Sequence, residues 1–318
     1  MNTDTKTTTP ASGLTGTTIK LIAVISMIID HIGRCVVYFI PGRTEEGTTL
    51  YYIYKTMRLV GRLAFPLYLF LLLEGMIYTR SRLKYVIRLF IFVIISEVPF
   101  DLAMENSILE WTHQNVYLTL LLGALMLWLF EKIKADLIDR LPEWLIIICV
   151  FLFPTAYFTW RIGKDTKAVI GWSLETRFAY PICAVLSLAL IYGMIRSTLR
   201  KKDERTAMIM CTDLIVMSGF AYVADLVKCD YKSAGIIALA LMYLYRYDFF
   251  GRMVSATLAL TMLSSSMEIV CLVNVPLVER YNGKRGRGLK YLFYIIYPAH
   301  LLILYLISYL TGYRGSIL

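Results

Sequence analysis

A chain of 318 residues that is 58% hydrophobic and 18% charged, with a mean hydropathy of +0.62, carries more apolar surface than a soluble core of that length can hide, so a bilayer is its solvent. The formal net charge of +10 would suit nucleic acid in a soluble protein, but here the basic residues fall in short loops between apolar runs, with no aromatic and basic platform and no recognition helix. The six cysteines, Cys35, Cys149, Cys183, Cys211, Cys229 and Cys271, are scattered without metal-ligand spacing or an obvious disulfide pair, so they are expected as small core residues, with no metal.

Residues 1–18 are rich in Thr, contain Pro10 and Gly13 and lack an apolar core, which predicts a disordered cytoplasmic tail and not a signal peptide. The remainder, 19–318, is expected to form a single transmembrane domain. Spans are predicted near 19–40, 57–78, 84–102, 116–131, 143–160, 179–197, 207–227, 232–247, 253–277 and 289–311. The runs lack the alternation of barrel strands, so the fold class is all-α, a polytopic integral membrane bundle of roughly nine or ten helices. No internal repeat is visible.

Charge sets the predicted orientation. The loop with Arg80, Arg82, Lys84 and Arg88 holds no acid and is expected in the cytoplasm, while the next, with Asp101, Glu105 and Glu110, holds no Lys or Arg. Arg196, Arg200, Lys201, Lys202 and Arg205 restore the basic side, so the amino terminus is predicted inside. Ten simple crossings leave the basic loop from Arg280 to Lys290 outside. Re-entry of 232–247 without crossing would return it to the cytoplasm with nine.

An ionisable group deep in a span costs at least ~2.5 kcal/mol, which makes each one a functional candidate. The first span holds Asp30, His31 and Arg34, the second Arg62 and Glu74, the third Glu97, and later spans Asp213, Asp225, Glu268 and His300. By helix rise, His31 lies roughly 18 Å above the cytoplasmic start of its span, Glu97 roughly 20 Å above its own, and Arg62 roughly 8 Å below the outer start of the second. These three fall into one layer, with Asn115 and Tyr117 just above it. Lys20 and His31 are eleven residues apart, about 1100° of rotation, and so share one helix face about 16 Å apart. That arrangement suits a long substrate with anionic phosphates at one end and its reactive group at the other, and coenzyme A has that shape.

In such a site the imidazole of His31 takes a proton from an amine or hydroxyl as it attacks a thioester. Arg62 or Asn115 could steady the oxyanion, with His300 a further candidate for positioning the acceptor. A carboxylate would hold the ring tautomer; Asp30 points about 100° away on an ideal helix, which favours Glu97. Glu74, near the Lys20 level, is expected to pair with a basic residue. Arg285 and Arg287 are candidates for a nucleotide phosphate, and His113, in a polar outer loop, is expected as a solvated surface histidine. A secondary transporter also uses intramembrane Asp, Glu and His, but no paired, similarly interrupted helices occur in two halves. A non-catalytic scaffold for envelope assembly is the third reading.

Four stretches carry a resemblance: IKLIAVISMIIDHIGR (19–34), GRLAFPLYLFLLLEG (61–75) with the following YTRSRLKYVIRL, NVYLTLLLG (115–123), and YNGKRGRGLKYLFYIIYPAHLLIL (281–304). CDYKSAGII (229–237) is a weaker fifth. The chain resembles the TraX family of conjugative-pilin acetylases. Its first span also resembles the wider group of transmembrane acyltransferases, in which a basic residue, more often Arg, precedes a functional histidine by eleven positions; here the pair is Lys20 and His31. The resemblance implies transfer of an acetyl group from cytoplasmic acetyl-CoA, in a bacterial inner membrane, to a membrane-associated acceptor. The acceptor implied is the amino terminus of pilin, with an envelope glycan or lipid hydroxyl as the alternative.

Overall fold

The computed structural model describes residues 12–43, 45–170, 174–201, 203–286 and 290–312. Among them helix dominates, and the extended pairings are two isolated bridges, Leu14 with Tyr281 and Gln114 with Cys229. In chain order the helices are α1 (Gly16–Cys35), α2 (Thr49–Arg62), α3 (Ala64–Tyr78), α4 (Arg82–Glu105), α5 (Val116–Lys132), α6 (Glu143–Ile170), α7 (Leu174–Lys201), α8 (Glu204–Leu226), α9 (Lys232–Leu244), α10 (Phe249–Leu263), α11 (Asn274–Glu279) and α12 (Lys290–Leu310). Among the described residues six helical stretches are long and apolar enough to cross a bilayer, and α9, α10 and 294–310 are shorter apolar helices. On α4, Phe90, Ile91, Ile94 and Ile95 are exposed, the side chains of a helix whose solvent is lipid. The protein is a polytopic membrane helical bundle.

Two compact units divide the chain, Met1–Ala124 with Val227–Leu318, and Leu125–Leu226. In the second unit a core of Ile133, Ile138, Ile146, Val150, Ile191 and Cys211 binds the helices. Its intramembrane acids are paired there: Lys134 lies 3.3 Å from Asp213, and Asp225 takes the Tyr157 hydroxyl at 3.0 Å with Arg161 at 3.7 Å.

The first unit departs from simple crossings twice. The stretch 57–78 is expected as one span, yet α2 ends at Arg62 and α3 begins at Ala64. Pro66 has no N–H for the carbonyl of Arg62, four residues earlier, and the turn breaks there. The carbonyl of Arg62 takes another donor, Cys271 Sγ at 3.1 Å, and Asn274 Nδ2 donates to Leu63 O at 3.0 Å. These donors come from the second departure. The predicted span 253–277 is a hairpin, in which α10 rises to Leu263, turns at the extended Ser265, and returns through a 3-10 helix (Ser266–Val273) and α11. Phe249 at its start and Tyr281 beyond its end are neighbours, with ring centroids 5.9 Å apart.

The hairpin brings the basic loop back beside the start of α1. The reversal falls within 253–277, expected as one crossing, while 232–247, for which re-entry is the alternative to ten crossings, holds the single helix α9. The loop from Arg280 onward then meets the start of α1: Leu14 N–H donates to Arg280 O at 2.8 Å, Gly16 N–H to Lys284 O at 2.9 Å and Thr17 N–H to Arg285 O at 3.0 Å. The stretch expected as a tail is therefore tied down from Leu14 onward. Irregular backbone such as 266–273 is tolerated at membrane depth where protein surrounds it, and Glu268 within it is fully buried.

Candidate active site

α1 is the predicted first span. Thr15 caps it by accepting from Thr18 N–H at 3.2 Å, and Lys20, Met27 and His31 follow along its length. A cavity of about 430 Å³ opens beside it in the first unit. One end is cationic, lined by Lys20, Arg88 and Arg285, and the wall continues through Met27, Tyr68 and Tyr117 to Tyr297. Gly75 makes room in that wall, since a Cβ there would sit 2.8 Å from the Tyr85 hydroxyl. Lys20 also lies over the Tyr294 ring at 5.6 Å.

Tyr297 joins the cavity to the histidine. Its ring packs edgewise on His31, centroids 6.2 Å apart, and on Tyr117 at 5.0 Å. His31 in turn meets His300 of α12, with Nδ1 2.6 Å from Nε2 and the two rings parallel within 3°. His300 Nδ1 donates to the Ile296 carbonyl at 2.7 Å. Both histidines are held in protein, His300 being buried. A pair of imidazoles packed behind Tyr297, which lines the cavity, can accept and pass a proton.

The other predicted residues enter separate partnerships. Asp30 pairs with Arg58 of α2 at 2.7 Å, and Gly61 is the residue that lets the two helices approach, because a Cβ there would fall 2.2 Å from Asp30. Arg62 lies 3.2 Å from Glu268 of the returning hairpin, so its guanidinium serves that buried carboxylate. Glu97 accepts from the Asn115 side-chain amide, whose Nδ2 also reaches Val93 O at 3.0 Å. Asn115 Oδ1 takes Tyr117 N–H at 2.9 Å, the work of a helix cap at the start of α5. The carboxylate expected to orient His31 is thus bonded to Asn115, and the ring partner is His300. Glu74 is bound by Arg252 at 2.6 Å. Arg287 lies outside the described residues.

Sequence reasoning passed over Arg58 and used Arg88 only as a topology signal. Arg58 stands four residues before Arg62, one turn away on the same face, which is a readable sign of a charged helix face. At the other end of the unit, His113 lies 3.1 Å from Glu105 and 3.8 Å from Asp230. Asp230 first, then Glu105, push its pKa up to about 9 against the effect of burial, so this partly exposed histidine is a charged link between two acids. Among the described residues no group of three or more His, Cys, Asp and Glu side chains is arranged to hold a metal ion.

Comparison with known proteins adds three findings. Residues 15–163 and 168–308 match the family described as TraX protein. Over 296 residues the chain is 26% identical to the probable fimbrial assembly protein FimC, serogroup H1, of Dichelobacter nodosus, covering 90% of this chain and 92% of that protein. No solved structure matches.

Proposed function

This chain belongs to the TraX family, and from that premise we propose that it is a membrane acetyltransferase that takes its acetyl group from acetyl-CoA on the cytoplasmic side of a bacterial inner membrane. One observation carries the reading: a cavity with Lys20, Arg88 and Arg285 at one end has at the other Tyr297, the ring against which His31 packs. The phosphates of the donor lie among those cations, with Arg287 of the same loop a further contact, and the pantetheine arm runs along the tyrosines. His31 takes the proton of an amine or hydroxyl as that atom attacks the thioester carbonyl. Collapse of the tetrahedral adduct forms the amide or ester and expels the coenzyme A thiolate, which receives the proton from His31. Asp30 on Arg58 and Arg62 on Glu268 fix the charges around the base. Glu97 and Asn115 hold the start of α5, whose Tyr117 lines the cavity.

The acceptor is the amino terminus of a pilin-type subunit by family membership, in keeping with the fimbrial assembly name of the relative from Dichelobacter nodosus. The test is acetyl-CoA binding by calorimetry and release of thiol by the purified protein in detergent, wild type beside His31→Ala. The reading expects both to bind and His31→Ala to lose turnover on the order of 10²–10⁴-fold. If the folded wild type does not recognise acetyl-CoA, the enzyme reading has lost its donor and a scaffold of pilus assembly replaces it.

A further inference from the structure

The hydrogen bonds around His300 leave a single arrangement of protons on a neutral pair. A carbonyl oxygen only accepts, so the 2.7 Å contact to Ile296 O requires a proton on His300 Nδ1. His300 Nε2 then carries a lone pair and accepts. The 2.6 Å contact to His31 requires that the proton between the rings belong to His31 Nδ1. His31 Nε2 is thereby left with its lone pair, and it is the nitrogen able to act as a base. Two rings parallel within 3° present their nitrogens in the planes where lone pairs and N–H bonds lie.

We infer that His300 is a positioning residue that fixes His31 as the Nδ1–H tautomer and takes up its proton when Nε2 is protonated. The step balances without a further reactant. Nε2 of His31 gains the proton of the acceptor, Nδ1 of His31 gives its proton to Nε2 of His300, and the positive charge passes to a ring whose Nδ1–H is already held by a carbonyl. Transfer of the His31 Nε2 proton to the leaving thiolate, with return of the His300 Nε2 proton to His31 Nδ1, restores the pair. A neutral imidazole here fills the place that a carboxylate fills in other histidine-based sites. The other charges near the pair are Asp30 and Arg58, which bond each other, and Arg62, which bonds Glu268; the Tyr297 hydroxyl is the neighbouring titratable group on α12. The inference rests on the acetyltransferase reading for its consequence, but not for its geometry.

The chain contains three histidines, so protein labelled with ¹⁵N-histidine gives three ring systems, which single substitutions assign. At mildly alkaline pH, His31 and His300 are each expected to show a protonated Nδ1 and a bare Nε2. A His31 with protonated Nε2 and bare Nδ1, or a doubly protonated His300, overturns the inference. His300→Gln keeps an acceptor oxygen for His31 Nδ1–H but cannot take up its proton, so it should retain the tautomer while kcat falls, and unchanged kcat in this variant overturns the proton uptake. His300→Phe should lose the tautomer, with kcat falling on the order of 10²–10⁴-fold while KM for acetyl-CoA holds. A His300→Phe protein that keeps both the tautomer and its kcat also overturns it. If wild type turns over no acetyl-CoA, the functional reading fails, while the spectra still decide the proton arrangement.

Discussion

His113 bridges Glu105 at the end of α4 and Asp230 ahead of α9. Because its folded pKa is raised from an ordinary 6.5 to about 9, its contribution to stability is complete below about 6.5 and is lost as pH rises through 9. Thermal stability in detergent should decline across that window, and His113→Gln should remove that part of the pH dependence; an unchanged slope overturns the assignment. Gly61 offers a second single-residue test. A methyl group there meets Asp30 Cβ and Oδ1 at 2.2 Å, so Gly61→Ala must part α1 from α2 or push Asp30 off Arg58. The expected loss is about 1–3 kcal/mol by denaturation, with acetyl-CoA turnover reduced through the displaced neighbour of His31. Lys20 and His31 were legible as a pair because helix periodicity is local. Their partner His300 was not, since nothing in a period of 3.6 residues joins positions 269 apart.

At the scale of elements, apolar length predicted helices well and connectivity poorly. The stretches 57–78 and 253–277 are hydrophobic enough to read as single spans, because a hydropathy window does not register a reversal of direction inside an apolar run. The signals lay in the breakers: Pro66 for the bend at Arg62, and the serines 264–266 for the tip of the hairpin. Buried Glu268 is a third sign, since it occupies the 3-10 segment and meets Arg62 at the bend. The hairpin makes a topological prediction. In a background lacking the six native cysteines, single cysteines at Ser81 and Asn282 should be modified by an impermeant thiol reagent from one side of the membrane, and a cysteine at Glu110 from the other. Modification of the Asn282 position together with Glu110 would show that 253–277 crosses once.

Across the whole molecule the labour is divided by sequence. Every residue of the candidate site falls within Met1–Ala124 or Val227–Leu318, while Leu125–Leu226 holds its own acids on its own partners. Asp225→Asn should therefore cost stability, on the order of 3 kcal/mol for a buried charge pair broken at one partner, and leave calorimetric binding of acetyl-CoA to the folded protein unchanged. A large loss of donor affinity in that variant would contradict this division. The pairing of α1 with α12 has a consequence for how the protein comes into being. Lys20 and His31 leave the ribosome early, but Arg285, Tyr297 and His300 follow only after α2 to α11, so neither the mouth nor the proton pair exists on a partly made chain. A nascent or stalled product can occupy the membrane yet perform no chemistry, and cellular activity should count finished molecules and not inserted ones.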